Sequence, residues 1–502
     1  MQAPSKDQNH VEPARFKIFS SAEAVGIQLA RRRGLVTTGA IRGPIVIGLG
    51  GLGERMTSSR WGGLAALLAG FFVLLLDTTI VAVASPSIQA DLGGDVAALF
   101  WVTAGYLLAF SVPLLVAGRL GDLFDPKRVY LVGMGCFAVA SALCGIAPSI
   151  GWLIAFRILQ GLAAAAMSPQ PLTLIRRLFA DDERGRAFGI WGSVAAAATL
   201  LGPVLGGLLT ASLDWRWIFW VNVPLCAVAV VMGVRLIPGS GGGAARFDLL
   251  GAALSTAGLS LLVWALLSWS PLSLPAAALA VVLLVGFWFQ ERRQGADALA
   301  PLRLYRSSGY LSASLAMASL GATVLAMALP TMLYIQEMRR FGPIEAALVL
   351  APDAIVAILL SPPAGRWVDR VGGRRPAILG MSLLVTSLLL IGLVVVLNLN
   401  PWWISVGAAL LGAANAMAWS PLSAIAMASV DPEAAGGASG LFNTVRQVGA
   451  VGGVAVTGAF LAGLDSRPGL GFGVVFGFVG VVAVGGVVAA FWLPRVVRVE
   501  VG

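Results

Sequence analysis

From residue 61 to residue 493 the chain alternates apolar runs of about twenty residues with short polar loops. A helix of that length covers the roughly 30 Å hydrocarbon layer of a bilayer, since each residue advances it by about 1.5 Å. The pattern predicts spans near 61–85, 97–117, 129–147, 150–170, 187–210, 217–237 and 248–268, then near 272–290, 310–334, 343–361, 376–397, 402–425, 439–463 and 469–493, fourteen in all. A transmembrane barrel would alternate apolar and polar residues over runs of about ten, and no segment does so. The expected fold class is all-α, a polytopic membrane protein.

Charge then orients the bundle. Loops holding most of the arginines (residues 119–128, 176–186, 292–306 and 366–375) fall on one side, while the opposite loops hold Arg216, Arg339, Arg340 and Arg467. Basic loops stay cytoplasmic, so both termini are expected in the cytoplasm and the protein in the cell membrane, plasma or inner. A net charge of +10 follows from this asymmetry and a basic tail; no groove-reading domain accompanies it, so nucleic acid is not an expected partner. Residues 1–59 are polar, with a basic run at Arg31-Arg32-Arg33, and are expected to be a disordered tail, with Met56 as an alternative start. Gly48-Leu49-Gly50-Gly51-Leu52-Gly53 fits the dinucleotide pattern G-x-G-x-x-G, but a span follows Arg60 at once and leaves no room for a βαβ unit. Residues 496–502 form a short second tail.

Composition removes several function classes. The chain is 58% hydrophobic and 12% charged, with a mean hydropathy of +0.88, more apolar surface than one water-soluble core can hide. None of its lysines, Lys6, Lys17 and Lys127, sits in a phosphate-binding G-x-x-x-x-G-K-[ST] loop, so ATP is not an expected energy source. The one histidine, His10, lies in the tail, which leaves no His-based metal site and no nucleophile–base pair of a hydrolase. No cofactor, metal or enzymatic activity is expected. Cys136, Cys144 and Cys226 lie in apolar runs and read as small packed hydrophobes.

The polar motifs carry a duplication. Gly118-Arg119-Leu120-Gly121-Asp122, with Lys127-Arg128 beginning five residues beyond the aspartate, is echoed by Gly365-Arg366-Trp367-Val368-Asp369 with Arg374-Arg375. Duplicated bundles are the usual architecture of secondary transporters. These loops resemble those of the major facilitator superfamily. So do Arg157-Ile158-Leu159-Gln160-Gly161 in the fourth span and Gly202-Pro203-Val204-Leu205-Gly206-Gly207 in the fifth. Leu76-Asp77-Thr78-Thr79-Ile80-Val81 with Pro86, Trp215-Arg216-Trp217-Ile218-Phe219-Trp220-Val221-Asn222-Val223-Pro224, and the run from Gly440 to Gly449 are similar to motifs of its fourteen-spanner drug:proton antiporters. Leu123 and Asp125 depart from the first loop's usual Arg and Gly. The resemblance covers residues 60 to about 495 and implies two six-helix halves, 60–237 and 309–495, around a two-helix insertion, 238–308. It further implies an exporter of amphipathic drugs, dyes or antibiotics, driven by the proton gradient through alternating access. Export of a dedicated endogenous metabolite or lipid stays open; a proton symporter importing a metabolite fits the fifth-span motif less well.

Ionisable groups within apolar spans cost several kcal/mol and persist where they pair or work. Asp77, Arg157, Asp353 and Arg446 are the ones here. Asp77 and Arg157 could couple to protons or form a permanent clamp between two helices; the resemblance implies coupling. Asp353, after Pro352, is expected as a second proton site, a lure for a cationic substrate, or a satisfier of backbone beside the proline. Arg446 could anchor its helix or touch substrate. Gly202 and Gly206 permit close helix approach while Pro203 removes a backbone donor, and with Gly207 they form the expected antiporter seam. Gly118, Asp122, Lys127 and Arg128, with Gly365, Asp369, Arg374 and Arg375, are expected to gate the cytoplasmic side. Candidate cavity residues are Trp101, Tyr106, Phe110, Gln160, Trp191 and Trp419, with Asn443 and Arg446; aromatic faces suit flat apolar or cationic molecules. The expected partners are an amphipathic small molecule, protons and the bilayer, with one chain acting alone as a monomer.

Overall fold

The structure is a computed structural model that describes residues 50–93, 96–239, 241, 247–267, 270–295, 298–300, 303–463 and 468–494. Most of the expected tail, the start of the G-x-G-x-x-G run, Arg467 and residues 496–502 lie outside the described residues. Internal contacts divide the chain into Met1–Arg55 and Met56–Gly502. Among the described residues every regular element is helical.

The first helix, α1 (Gly50–Leu92), corrects one expectation. Residues 50–59 are helical rather than disordered, continuous with the span that follows, and no proline interrupts the helix before Trp61. The predicted span at 97–117 is two helices, α2 (Val96–Ser111) and α3 (Leu114–Phe124), bent by 46°. Pro113 causes the break, since it has no N–H for the carbonyl four residues back. Between α3 and α4 (Pro126–Gly145), Asp125 adopts φ 82, and its side chain accepts from the Lys127 N–H at 3.1 Å. An aspartate thus tolerates a left-handed position that favours glycine, and it caps the next helix, with Pro126 in the first turn.

There follow α5 (Ile150–Met167), α6 (Gln170–Leu178), α7 (Arg184–Ser212), α8 (Trp217–Trp220), α9 (Asn222–Leu236), α10 (Leu249–Leu267) and α11 (Ser273–Gln294). After a short α12 (Arg303–Arg306) come α13 (Ser308–Leu333), α14 (Pro343–Val371), α15 (Arg374–Val396), α16 (Ile404–Ala428), α17 (Ala435–Gly463) and α18 (Pro468–Phe491). Among the described residues twelve helices are long and apolar enough to cross a membrane, thirteen if the bent pair counts as one span. The predicted span that is not among them, 439–463, falls on α17, which carries Asn443, Arg446 and Gln447. α14 outruns its predicted end at 361 despite Pro362 and Pro363. The Ile358 carbonyl, which would ordinarily bond the N–H at position 362, accepts instead from Ser193 Oγ of α7 at 2.9 Å.

The N-terminal helices (α1–α9) and the C-terminal helices (α13–α18) meet along two lines, α7 against α14 and α3 against α17. α10 and α11 lie chiefly against each other, and their exposed Leu249, Leu274, Val282 and Phe289 present an apolar outer face. The connection from α11 to α12 returns to the bundle. Buried Glu291 accepts from the Leu299 N–H at 3.2 Å and the Ala300 N–H at 2.7 Å, and a Cβ on Gly437 of α17 would stand 2.9 Å from the Leu299 carbonyl.

Candidate functional site

Asp77, on α1, is fully buried and is surrounded by donors from two other helices. Arg157 Nη1 of α5 donates to its Oδ2 at 2.6 Å. Gln160 Nε2 of α5 and Asn222 Nδ2 of α9 both donate to its Oδ1 at 2.9 Å. Arg157 also donates to Gln160 Oε1 at 2.8 Å and to the Val102 carbonyl at 3.3 Å, and lies over the Tyr106 ring at 4.0 Å. Asn222 reaches on to Ser141 Oγ, itself bonded to the Phe219 carbonyl. A buried ion pair holds only when its remaining donors and acceptors are met, and here three donors converge on one carboxylate. Chemically, the cluster ties α1 to α5 and α9 for as long as Asp77 is charged. Gln160, expected in the cavity, belongs to this cluster. Asn222 and Ser141 were not foreseen as functional, although Asn222 stands in the tryptophan-rich run that enters the sixth predicted span.

The C-terminal helices hold their charges differently. Asp353 Oδ1 on α14 accepts from Asn415 Nδ2 on α16 at 3.3 Å. Arg446 on α17 lies over the Trp419 ring at 5.0 Å, and its buried Nε has no hydrogen-bond partner. Asn443 is spent on the Ser439 carbonyl of its own helix, at 3.0 Å.

The glycine seam joins α7 to α1. A Cβ on Gly202 would overlap Thr79, and one on Gly206 would stand 2.9 Å from the Ile80 carbonyl. Gly207 is peripheral, 3.9 Å from Val83, and Pro203 is exposed. At the arginine-rich end the two repeated loops cross between the helix sets. Asp122 accepts from the N–H groups of Gly436 and Gly437, both at 2.8 Å, at the start of α17. Asp369 accepts from those of Gly185 at 2.6 Å and Arg186 at 2.9 Å, at the start of α7. Each aspartate therefore caps a helix of the other set, where free N–H groups and the helix dipole favour negative charge. Gly118 and Gly365 make the approach possible: a Cβ on Gly118 would overlap Gly436, and one on Gly365 would overlap Gly185. The basic members do other work. Lys127 Nζ donates to the Val234 carbonyl and Arg374 Nη2 to that of Phe491, both in the last turns of neighbouring helices, while Arg128 and Arg375 are exposed.

At the opposite end, polar contacts among the described residues stay within one helix set. Arg216 donates to Asp91 at 2.7 Å and Arg339 to Asn398 at 2.6 Å. The Arg216 guanidinium, then the Trp215 indole N–H, hold the Asp91 carboxyl below the usual carboxylate range. Toward this end a cavity of about 480 Å³ opens between the sets, with Ser85, Leu107, Ser111, Leu325, Gln447 and Val454 among its lining. None of the aromatic residues expected there lines it. Tyr106 is buried under Arg157 and stacks on buried Phe110, Trp191 is buried against Phe71 and Phe188, and Trp101 borders a separate, smaller recess. Large rings are consumed where helices touch; the void is left where side chains are aliphatic or small.

Comparison with known proteins agrees with this geometry. The Major Facilitator Superfamily matches residues 67–454 and 311–501. A relative named "Probable actinorhodin transporter" from Streptomyces coelicolor is 36% identical over 81% of this chain and 73% of its own length. "Multidrug resistance protein Stp" from Mycobacterium tuberculosis is 34% identical over 78% and 74%. The solved proton:xylose symporter XylE shares the fold with a TM-score of 0.64 at 12% identity, over 87% of this chain and 96% of that one. This multi-pass membrane chain belongs to the Major Facilitator Superfamily, in the company of its drug and antibiotic exporters.

Proposed function

We propose that the chain is a proton-coupled antiporter that exports amphipathic organic compounds across the cell membrane. In this reading α17 is the further span that brings the count to fourteen, the arginine-rich end and both termini face the cytoplasm, and the helix sets α1–α9 and α13–α18 are the two halves that rock about the substrate. No metal or cofactor takes part, and one chain suffices. The buried Asp77–Arg157 pair carries the proposal.

The crossed aspartate caps tie the two helix sets at the arginine-rich end, and the 480 Å³ cavity lies toward the other. A proton arriving on Asp77 removes the charge that Arg157 pairs with and weakens the bonds from Gln160 and Asn222. α1 then loosens from α5 and α9. Because α1 meets α7 along the Gly202 and Gly206 seam, and α7 meets α14 of the other half, that loosening reaches the interface between halves. Return of the charge restores the clamp. Each proton moving down 100 mV supplies roughly 2.3 kcal/mol to the cycle.

The test is efflux of amphipathic fluorescent dyes from energised vesicles, with wild type and Asp77→Asn, with and without a protonophore. The expected outcome is protonophore-sensitive efflux by wild type and none by Asp77→Asn at equal abundance. Efflux that persists in the variant would sink the assignment of Asp77 and leave the pair as a structural clamp.

A further inference from the structure

We propose that the C-terminal half holds the anionic group of a flat aromatic compound on the Arg446 guanidinium, beside the Trp419 ring and one helical turn inward of the residues of α17 that line the cavity. The role of this site in export rests on the function proposed above.

Arg446 stands midway along α17, within the bundle, and an arginine side chain stays charged there. Among the described residues it makes no ion pair and no side-chain hydrogen bond; its contact with Trp419 is the interaction it has. Asp353 does not relieve it, being bonded to Asn415 one turn before Trp419 on α16. An isolated charge at membrane depth is costly and persists where it works. Helix anchoring would leave a mark, a bond to a carbonyl or a carboxylate, as Arg157 shows with both.

The surroundings point to a ligand. On α17, Gln447, Ala450, Val451 and Val454 line the cavity. Arg446 lies one turn inward of Ala450 and two turns inward of Val454, on the same helical stripe, and keeps part of its surface accessible. Gly321 of α13 lets its stem lie close: a Cβ there would come within 3.2 Å of Arg446 Cγ. The guanidinium is a planar fork suited to carboxylate, sulfonate or phenolate oxygens. The indole beside it offers a stacking face to a flat ring. A cationic compound would meet an unneutralised positive charge at this position, so the aromatic–cation pairing expected from sequence is reversed here: the site selects flat anions.

The test is calorimetric titration of the purified full chain in lipid nanodiscs with anthraquinone-2-sulfonate and with uncharged anthraquinone. Wild type is expected to bind the sulfonate more tightly than the parent. Arg446→Gln should weaken sulfonate binding by about 10- to 100-fold, as expected for loss of a hydrogen bond to a charged group, and leave the parent unchanged. Arg446→Lys, which keeps the charge but not the fork, should fall between, and an unchanged unfolding midpoint shows that either variant is folded. Trp419→Leu should weaken both ligands alike. Equal wild-type affinity for sulfonate and parent, or full sulfonate binding by folded Arg446→Gln, overturns the proposal. Sulfonate binding without sulfonate transport in vesicles would overturn the exporter reading and leave the site standing. Dye efflux untouched by Arg446→Gln in a protein that does not bind the sulfonate would do the reverse.

Discussion

Arg157 and Arg446 are both arginines inside the helical bundle, and the two halves treat them in opposite ways. Arg157 meets a carboxylate, an amide and a backbone carbonyl, and lies on a tyrosine ring. Arg446 has a tryptophan face and an unmatched Nε. The first is a closed circuit, which in the proposed function changes state when a proton enters it. The second is an open valence that something from outside the chain completes. If both proposals hold, energy input and substrate recognition fall to different halves, so that either can change without dismantling the other.

The sharpest way to break this contrast is to remove each arginine's charge and compare stabilities. Arg157→Met strands a buried carboxylate and should lower unfolding stability by about 3–5 kcal/mol, read from thermal unfolding in detergent. Asp77→Asn combined with Arg157→Met should regain most of that loss, since both charges go together, while proton-driven efflux stays absent. Asn222→Ala removes one of the three donors on Asp77 and should cost about 1–3 kcal/mol, with slowed efflux as the second readout. Arg446→Met should change stability by no more than about 1 kcal/mol or raise it, because no partner is stranded; a loss as large as that of Arg157→Met would erase the distinction. Asp91→Asn should have the least effect, as its pair with Arg216 is open to solvent. Its carboxyl is held low in the folded state, so whatever it contributes is present above the ordinary carboxylate range and fades only as pH falls through the depressed value. Unfolding midpoints of wild type and Asp91→Asn followed from neutral to acidic pH check that sign.

How much of this was legible in the sequence depended on the kind of signal. Asp77 and Arg157 stand out because charges are rare in apolar spans. Asn222 and Ser141 do not, because neutral polar residues are common in such helices and their partners lie on other helices. Asp122 and Asp369 were readable as a repeat, but the groups that answer them are backbone N–H at Gly436, Gly437, Gly185 and Arg186, and every residue except proline carries one. Spans such as 376–397 match their helix, Arg374–Val396, within two residues at each end because apolar length alone sets them. The break at Pro113 and the run of α14 through Pro362 were not predicted, since whether a proline bends or passes depends on what a neighbour such as Ser193 offers the freed carbonyl. The cavity aromatics failed for a related reason: from sequence, a ring that packs and a ring that lines a void look alike.

The crossed aspartate caps have a further consequence, in the populations of the two access states. Asp122 holds the start of α17 and Asp369 the start of α7, each across the boundary between the halves. When the halves part at that end both caps are lost together, so their free energy stabilises neither half alone and counts wholly toward the balance between states. A helix cap contributes about 1 kcal/mol, and two of them bias that balance by roughly 30-fold. Under the proposed alternating access, two carboxylates would thus set how often the empty protein is closed at the arginine-rich end, and a single neutralised aspartate would shift the resting population several-fold without touching Asp77 or the cavity.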